Sequence, residues 1–412
     1  MANTLTLVKK NSFYQDVVLK FLSKMDNGCL YLTLPDGRET TIGNGEGNIS
    51  ASININSDEF YKRVILFGDI GFGEAYVDGL WDTDNITNVI KWVLHNIENA
   101  PGVSGSKTQT LALNLLKWLN KLSHFKRANT IDGSRKNISA HYDLNNDFFA
   151  SFLDPTMTYS SAYFYKDGLS LEEAQLAKYE RLCRQLQLKP TDNVLEIGSG
   201  WGGNAIYMAK TYGCKVTSLT ISEEQHKMAV ERVEAAGLSD RVSILIKDYR
   251  QMEGQFDKIV SVEMLEAVGF SYLDVYFRKC HELLKQKGIL AIQVITSPDS
   301  RYDSLRKGVD WIQKHIFPGS LLPSVGAINN AINRTGDLTL VDLKDIGLDY
   351  AKTLKLWYDA FNANLPTVRS LGFDETFIRK WNYYLCYCEA AFEMRNINVM
   401  HLVYTRPNNM LR

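Results

Sequence analysis

The chain has 412 residues, 45% hydrophobic and 23% charged, with 46 basic against 47 acidic side chains and a formal net charge of -1. That length predicts two or three domains with room for a large core, and the balanced charge excludes a chain-wide electrostatic footprint for nucleic acid. Six cysteines without metal-ligand spacing read as reduced, mostly buried thiols, not as a disulfide framework or a metal site.

The opening segment MANTLTLVKKNSFYQD lacks the apolar core of a signal peptide, and no run of about 18 apolar residues occurs. The expectation is a cytoplasmic protein, peripheral at most to a membrane. Alternation in CLYLTLPDGRETTI, residues 29–42, predicts a hairpin turning at Pro35, Asp36 and Gly37, and a further strand is expected over 48–55. Asp82 or Asp84 is placed to cap a helix running to about Ile97. Residues 1–100 thus read as a small α+β domain, with no nucleophile and base pair, metal cluster or phosphate loop.

Pro101, Gly102, Ser104, Gly105 and Ser106 then break the pattern. In the run that follows, Thr110, Asn114, Lys117 and Lys121 form a narrow polar stripe on an otherwise apolar helix. Across 101–140 seven basic residues face one acid, Asp132, a local charge of +6. A basic amphipathic helix binds an anionic lipid surface, at about 1 kcal/mol per basic residue. The same pattern suits a linker packed between domains with its lysines in water.

From 141 to 412 the chain reads as the catalytic domain. Ser170 with Glu173 makes a capping box for a helix over 171–186. Strands near 193–198, 215–220, 242–246, 256–262 and 288–295 alternate with helical runs near 203–212, 222–236 and 272–286. This predicts an α/β, doubly wound parallel sheet whose ligands sit at the carboxyl ends of the strands. The stretch NVLEIGSGWGG, Asn193 to Gly203, is the strand, glycine turn and helix start that organises the domain. Gly198, Gly200 and Gly203 fit a dinucleotide fingerprint. Glu196 before the turn, and Thr220 where a dinucleotide site wants an acid, favour the cationic S-adenosylmethionine instead. The remaining strand ends carry Gln225, Asp248, Tyr249, Arg250, Val262, Glu263, Glu266, Gln293 and Ile295, which together form one crevice.

HYDLNNDFF, TYSSAYF, VLEIGSGWGG, SLTISEEQ, KDYR, SVEMLEAVG, IFPGS and LKLWYDAF occur in the order and spacing of the cyclopropane fatty acid synthases and their mycolic acid relatives. The chain resembles that family over at least 141–405, and GDIGFGEAYVDGLWD resembles the first domain of its longer, phospholipid-acting members. The resemblance implies a class I methyltransferase with a Rossmann-like seven-stranded sheet, its last two strands near 340–345 and 398–404. It also implies a helical acyl-pocket insertion over about 298–338, containing Trp311, Ile316, Phe317 and Leu321; a plain helical cap over the sheet would read the same way. For the cofactor S-adenosylmethionine it implies Tyr159, Ser160, Gly198, Gly200, Thr220, Gln225, Tyr249, Arg250 and Val262. The implied partners are unsaturated phospholipid acyl chains at an anionic surface on the inner face of the membrane, with no nucleic acid and with a homodimer left open.

In that family an alkene attacks the sulfonium methyl, and a base then removes a proton from the new methyl group so that a ring closes, with water kept out. The base is thought to be a bicarbonate. The resemblance implies that Glu266 and Tyr358 hold it, with Ser161 and Ile295 as main-chain donors. Gln293 stands where the family has a histidine, and Ser161 where it has a cysteine. Glutamine donates a hydrogen bond but cannot carry a proton, so anion binding with altered tuning is expected. A cyclopropane is the expected product, with methyl-branched or methylene lipids as the other outcomes. Competing readings are a methyltransferase for an isoprenoid or other small alkene, and a catalytically idle lipid-binding protein.

Overall fold

Alternating apolar residues build the first sheet. In a computed structural model that describes residues 12–45, 49–96 and 145–410, helix α1 (Phe13–Leu22) precedes strands β1 (Cys29–Thr33), β2 (Glu39–Ile42) and β3 (Ser50–Ile55). β1 and β2 form the antiparallel hairpin, and β3 lies parallel to β1 on its other side. Leu30, Leu32, Ile53 and Ile55 point inward and are buried. Helix α2 (Glu59–Val77), strand β4 (Trp81–Asp82) and helix α3 (Ile86–His95) complete this unit. The cap of α3 is Asn85, which accepts from the Asn88 amide, in place of Asp82 or Asp84. Asp82 is instead bound to Arg379 at 2.8 Å, and asparagine caps a helix as well as aspartate does.

Two units partition the described chain. Residues 375–383 join the first, although the sequence reading puts them in the catalytic domain. Arg379 accounts for this, donating to the carbonyls of Tyr76 and Trp81 at 2.7 and 3.1 Å. The basic run 101–140 lies outside the described residues.

The second unit starts with α4 (Asn146–Ala150) and α5 (Leu171–Leu186), the latter opened by the Ser170 and Glu173 capping box. There follow β5 (Asn193–Ile197), α6 (Gly203–Tyr212), β6 (Lys215–Thr220), α7 (Glu223–Ala235), β7 (Val242–Ile246), β8 (Phe256–Val262), α8 (Leu273–Leu283) and β9 (Leu284–Thr296). The insertion supplies α9 (Asp299–Leu305), α10 (Trp311–His315) and α11 (Val325–Thr335). The chain ends through β10 (Thr339–Asp345), α12 (Gly347–Ala363), α13 (Leu365–Ser370), α14 (Glu375–Glu393) and β11 (Asn398–Thr405).

The sheet order is β10-β11-β9-β8-β5-β6-β7. β5 to β9 are parallel, as expected. β11 runs antiparallel to both neighbours, so the sheet is mixed and not purely parallel. The order reverses at β5, with β6 on one side and β8 on the other. That is the switch point at which an open sheet leaves a crevice beyond its carboxyl ends. Val194, Leu195 and Ile197 of β5 are buried, each contributing roughly 2 kcal/mol. Among the described residues no helix is long and apolar enough to cross a membrane.

Candidate active site

Beyond Ile197 the chain must turn at once. Gly198 and Gly200 do so at φ 100° and 48°, a region that favours glycine. The amides of Gly198 and Ser199 both donate to the Leu219 carbonyl, at 3.0 and 2.8 Å, which folds the turn over the end of β6. At Gly203 a Cβ would stand 2.7 Å from the Thr156 carbonyl and 2.8 Å from the Tyr179 hydroxyl, so a side chain has no room. Glu196 accepts from Asn204 Nδ2 at 2.8 Å and from the Ser218 hydroxyl. Burial pushes its carboxyl up to about 7. It ties the turn together, and the sequence idea that it faces a cationic ligand finds it already engaged.

The other residues implied for the cofactor lie at neighbouring strand ends. Thr220 Oγ1 donates to Gln225 Oε1 at 2.9 Å and accepts from the Ser222 amide, so the two side chains are set by one another. Arg250 grips Asp248 with two bonds of 2.8 and 2.6 Å and lies over the rings of Tyr249 and Tyr272, at 5.5 and 5.6 Å. It fixes the buried Tyr249 ring, whose hydroxyl is pushed up by burial. Val262 closes β8. Tyr159 packs on Trp357 and Phe149, both at 5.2 Å, and meets the Tyr384 hydroxyl at 2.8 Å. Ser160 Oγ accepts from the buried Lys178 ammonium at 2.7 Å.

One residue past Val262 the backbone does something costly. Glu263 adopts φ 46°, which costs a residue with a Cβ roughly 1 kcal/mol and is found where the surroundings over-determine it, often at functional sites. The carboxylate so aimed is the hub of the site. Glu263 Oε1 accepts from the Ser161 amide at 2.9 Å and from Gln293 Nε2 at 2.7 Å, and the Tyr350 hydroxyl also acts on this carboxyl, favouring its charged form. Burial pushes Glu263 up, while these donors and the Lys178 charge pull it down. Lys178 is in turn pushed down to about 7 by burial. The hub adjoins the glycine turn, because the Cβ position of Gly198 is 3.4 Å from Met264 Cβ.

Gln293 is itself held from behind. Arg181 donates to His401 Nδ1 at 3.2 Å, and an arginine can only donate. His401 therefore carries its proton on Nε2 and gives it to Gln293 Oε1 at 2.7 Å. Burial and the Arg181 charge push His401 down to about 3, so it stays neutral. The Gln293 amide group is left pointing its NH2 at Glu263 and at the Ser161 carbonyl, 3.1 Å away. Arg181 is anchored on Asp342 at 2.9 Å, so a chain of five side chains runs from β10 to the hub.

Glu266 accepts from the Ile295 amide through Oε1, while its buried Oε2 meets no partner. Burial, reinforced by the Glu263 charge, pushes it up to about 8. Its own carbonyl accepts from the Leu321 amide at 2.9 Å, which fastens the insertion to the site. Within the insertion Trp311 and Ile316 are buried, and Phe317 meets Tyr384 edge-on at 5.9 Å. Tyr358 is half-buried on α12 with the Lys355 ammonium 5.7 Å from its ring.

Ser161, Gln293, Ile295 and Glu266 are thus brought together. Sequence reasoning names Glu263 among the strand ends without a role. It misses Lys178, Tyr350 and His401, and no group of three potential metal ligands occurs among the described residues. Bicarbonate fits this arrangement poorly, since the Ser161 and Ile295 amides and the Gln293 NH2 are engaged by the chain's own two carboxylates. S-adenosylmethionine fits well, as the glycine turn leaves main chain bare at the switch point.

Fold and crevice define a class I S-adenosylmethionine-dependent methyltransferase. A family model described as mycolic acid cyclopropane synthetase matches residues 130–402, and the chain belongs to that family. Tuberculostearic acid methyltransferase UfaA1 of Mycobacterium tuberculosis is 40% identical over 354 residues, covering 83% of this chain and 80% of the relative. Cyclopropane-fatty-acyl-phospholipid synthase of Escherichia coli K12 is 39% identical over 370 residues, covering 87% and 89%. Among solved structures, the cyclopropane synthase MmaA2 from Mycobacterium tuberculosis aligns with TM-score 0.62 at 28% identity, over 66% of this chain and 98% of its own. Mycolic acid cyclopropane synthase CmaA1, complexed with SAH and CTAB, aligns with TM-score 0.61 at 31% identity, over 66% and 98%.

Proposed function

We propose that this enzyme transfers a methyl group to the double bond of an unsaturated phospholipid acyl chain and closes the product to a cyclopropane. The observation that carries the reading is a carboxylate hub, Glu263 with Glu266, set beside a glycine turn and fastened to a helical insertion of the sheet. Bound S-adenosylmethionine supplies an electrophilic methyl group, and the alkene that takes it becomes a carbocation. The chain's residues then have two tasks. The aromatic group of Phe149, Phe152, Tyr159 and Trp357 keeps water from trapping the cation. A base takes a proton from the new methyl group. The family resemblance implies added bicarbonate for that role, whereas the hydrogen bonds favour a carboxylate of the chain.

Of the cofactor contacts, Gly198 and Gly200 are assigned to the methionine portion, Thr220 and Gln225 to the ribose and amino acid groups, and Tyr249 to the adenine. Arg250 acts by holding Tyr249. Peripheral binding at an anionic inner membrane surface is assigned to the basic run 101–140. The test is incubation of the purified protein with labelled S-adenosylmethionine and vesicles of dioleoyl phosphatidylglycerol, followed by lipid mass spectrometry. The expected product is heavier by one CH2 and resists hydrogenation. Label confined to a water-soluble acceptor would refute the lipid assignment.

A further inference from the structure

We propose that Glu263 is the base of the reaction, a built-in carboxylate that takes the place of a free bicarbonate. The inference rests on the lipid reading above and deepens it.

Three observations carry it. The groups the family resemblance assigns to an anion are Glu266, Tyr358, the Ser161 and Ile295 amides and the side chain at 293. In this chain the Ser161 amide and the Gln293 NH2 converge on one oxygen, Glu263 Oε1, at 2.9 and 2.7 Å, while the Ile295 amide is taken by Glu266. A carboxylate therefore stands on donors meant for a planar anion, one O–C–O edge of which it reproduces, and a second anion beside it meets both lost donors and like charge. Next, the backbone at Glu263 is bent into the left-handed region, a conformation that costs a residue with a Cβ and is kept where the surroundings hold it. Last, the relay of Asp342, Arg181 and neutral His401 turns the Gln293 amide so that its NH2 faces the carboxylate. A histidine could also take up the anion's proton, whereas a glutamine so oriented can only hold the anion in place.

The alkene π pair bonds to the sulfonium methyl carbon, and the carbon-sulfur bond breaks with its pair left on sulfur. The cation then lies two bonds from the new methyl group. Glu263 takes one proton of that methyl, and the released carbon-hydrogen pair closes onto the cation as the third ring bond. Glu263 leaves the step as a neutral carboxylic acid and returns its proton to water when the products leave. Glu266, bound to Ile295 and unpartnered at Oε2, is the neutral neighbour that keeps the pair at a single negative charge.

The experiment uses purified full-length protein, dioleoyl phosphatidylglycerol vesicles and labelled S-adenosylmethionine in buffer stripped of carbon dioxide, with and without millimolar bicarbonate. The wild type is expected to turn over equally in both. Glu263→Gln is expected to lose about 100-fold or more in kcat, the usual share of a general base, while binding S-adenosylhomocysteine unchanged. Glu263→Gly, which the left-handed backbone welcomes, is expected to be inactive alone, to regain turnover with bicarbonate, and to bind isotope-labelled bicarbonate that the wild type does not. A wild type that needs bicarbonate, or a Glu263→Gln variant that retains its rate, overturns the assignment while leaving lipid methylation standing. A wild type that labels no lipid under either condition overturns both.

Discussion

Glu266 offers a quantitative check on the electrostatics of the hub. Replacing it with glutamine keeps the shape and the acceptor for the Ile295 amide but removes the titration. The ordinary value for this carboxyl is 4.5, and burial with Glu263 beside it lifts the folded value to about 8. At about 1.4 kcal/mol for each tenfold change in proton affinity, the full effect is about 5 kcal/mol. Its sign follows from which state holds the proton more tightly. The folded state does, so the stabilisation is complete below the ordinary value and is lost as pH rises through about 8. Between about pH 5 and about pH 9 the wild type should lose about 4 kcal/mol from this group, or roughly 8 °C in Tm for a unit of this size. Glu266→Gln should escape that fall. Melting both proteins by scanning calorimetry across the range is the assay. Parallel Tm profiles would refute the reasoning, because they would mean that Glu266 ionises in the fold without penalty.

Three further outcomes are expected. Gly203→Ala drives a Cβ against the Thr156 carbonyl and Tyr179 hydroxyl, and should cost about 2 kcal/mol in urea unfolding and weaken S-adenosylhomocysteine binding in titration calorimetry; an unchanged midpoint would contradict the close approach. His401→Ala releases the Gln293 amide and should lower kcat about tenfold with cofactor affinity unchanged, with partial recovery in His401→Gln, which keeps a donor toward Gln293; a loss of cofactor binding instead would show a merely structural role. Lys117→Glu with Lys121→Glu, in the run outside the described residues, should weaken cosedimentation with phosphatidylglycerol vesicles at least about tenfold, and equal binding would leave that run a plain spacer.

Much of the fold was legible because strand period, glycine placement and caps act locally. The Ser170 and Glu173 box and the turn at Gly198 needed only a few neighbouring residues to be read. The antiparallel direction of β11 was not, since a buried run such as HLVYT looks the same in either direction and only its partners, β9 and β10, decide. The site was legible as a set of strand ends but not as a network. Ser161 and Glu263 are 102 positions apart, and Gln293 and His401 are 108 apart, so no spacing betrays the contacts. Lys178 sits in a helix rich in charge, where nothing in the local sequence marks it, yet it is fully buried. Tyr358 drew attention on α12, while the tyrosine whose hydroxyl acts on the hub carboxyl, Tyr350, lies two turns earlier on the same helix.

The left-handed backbone at Glu263 also bears on how such an enzyme changes over generations. A glutamate codon becomes a glycine codon by one nucleotide, GAA to GGA, and at this position that change relaxes the main chain while emptying a carboxylate-sized space. With Glu263 assigned as the base, self-sufficiency and reliance on dissolved carbon dioxide would be neighbours in sequence space, joined by a mutation that the backbone at this position tolerates.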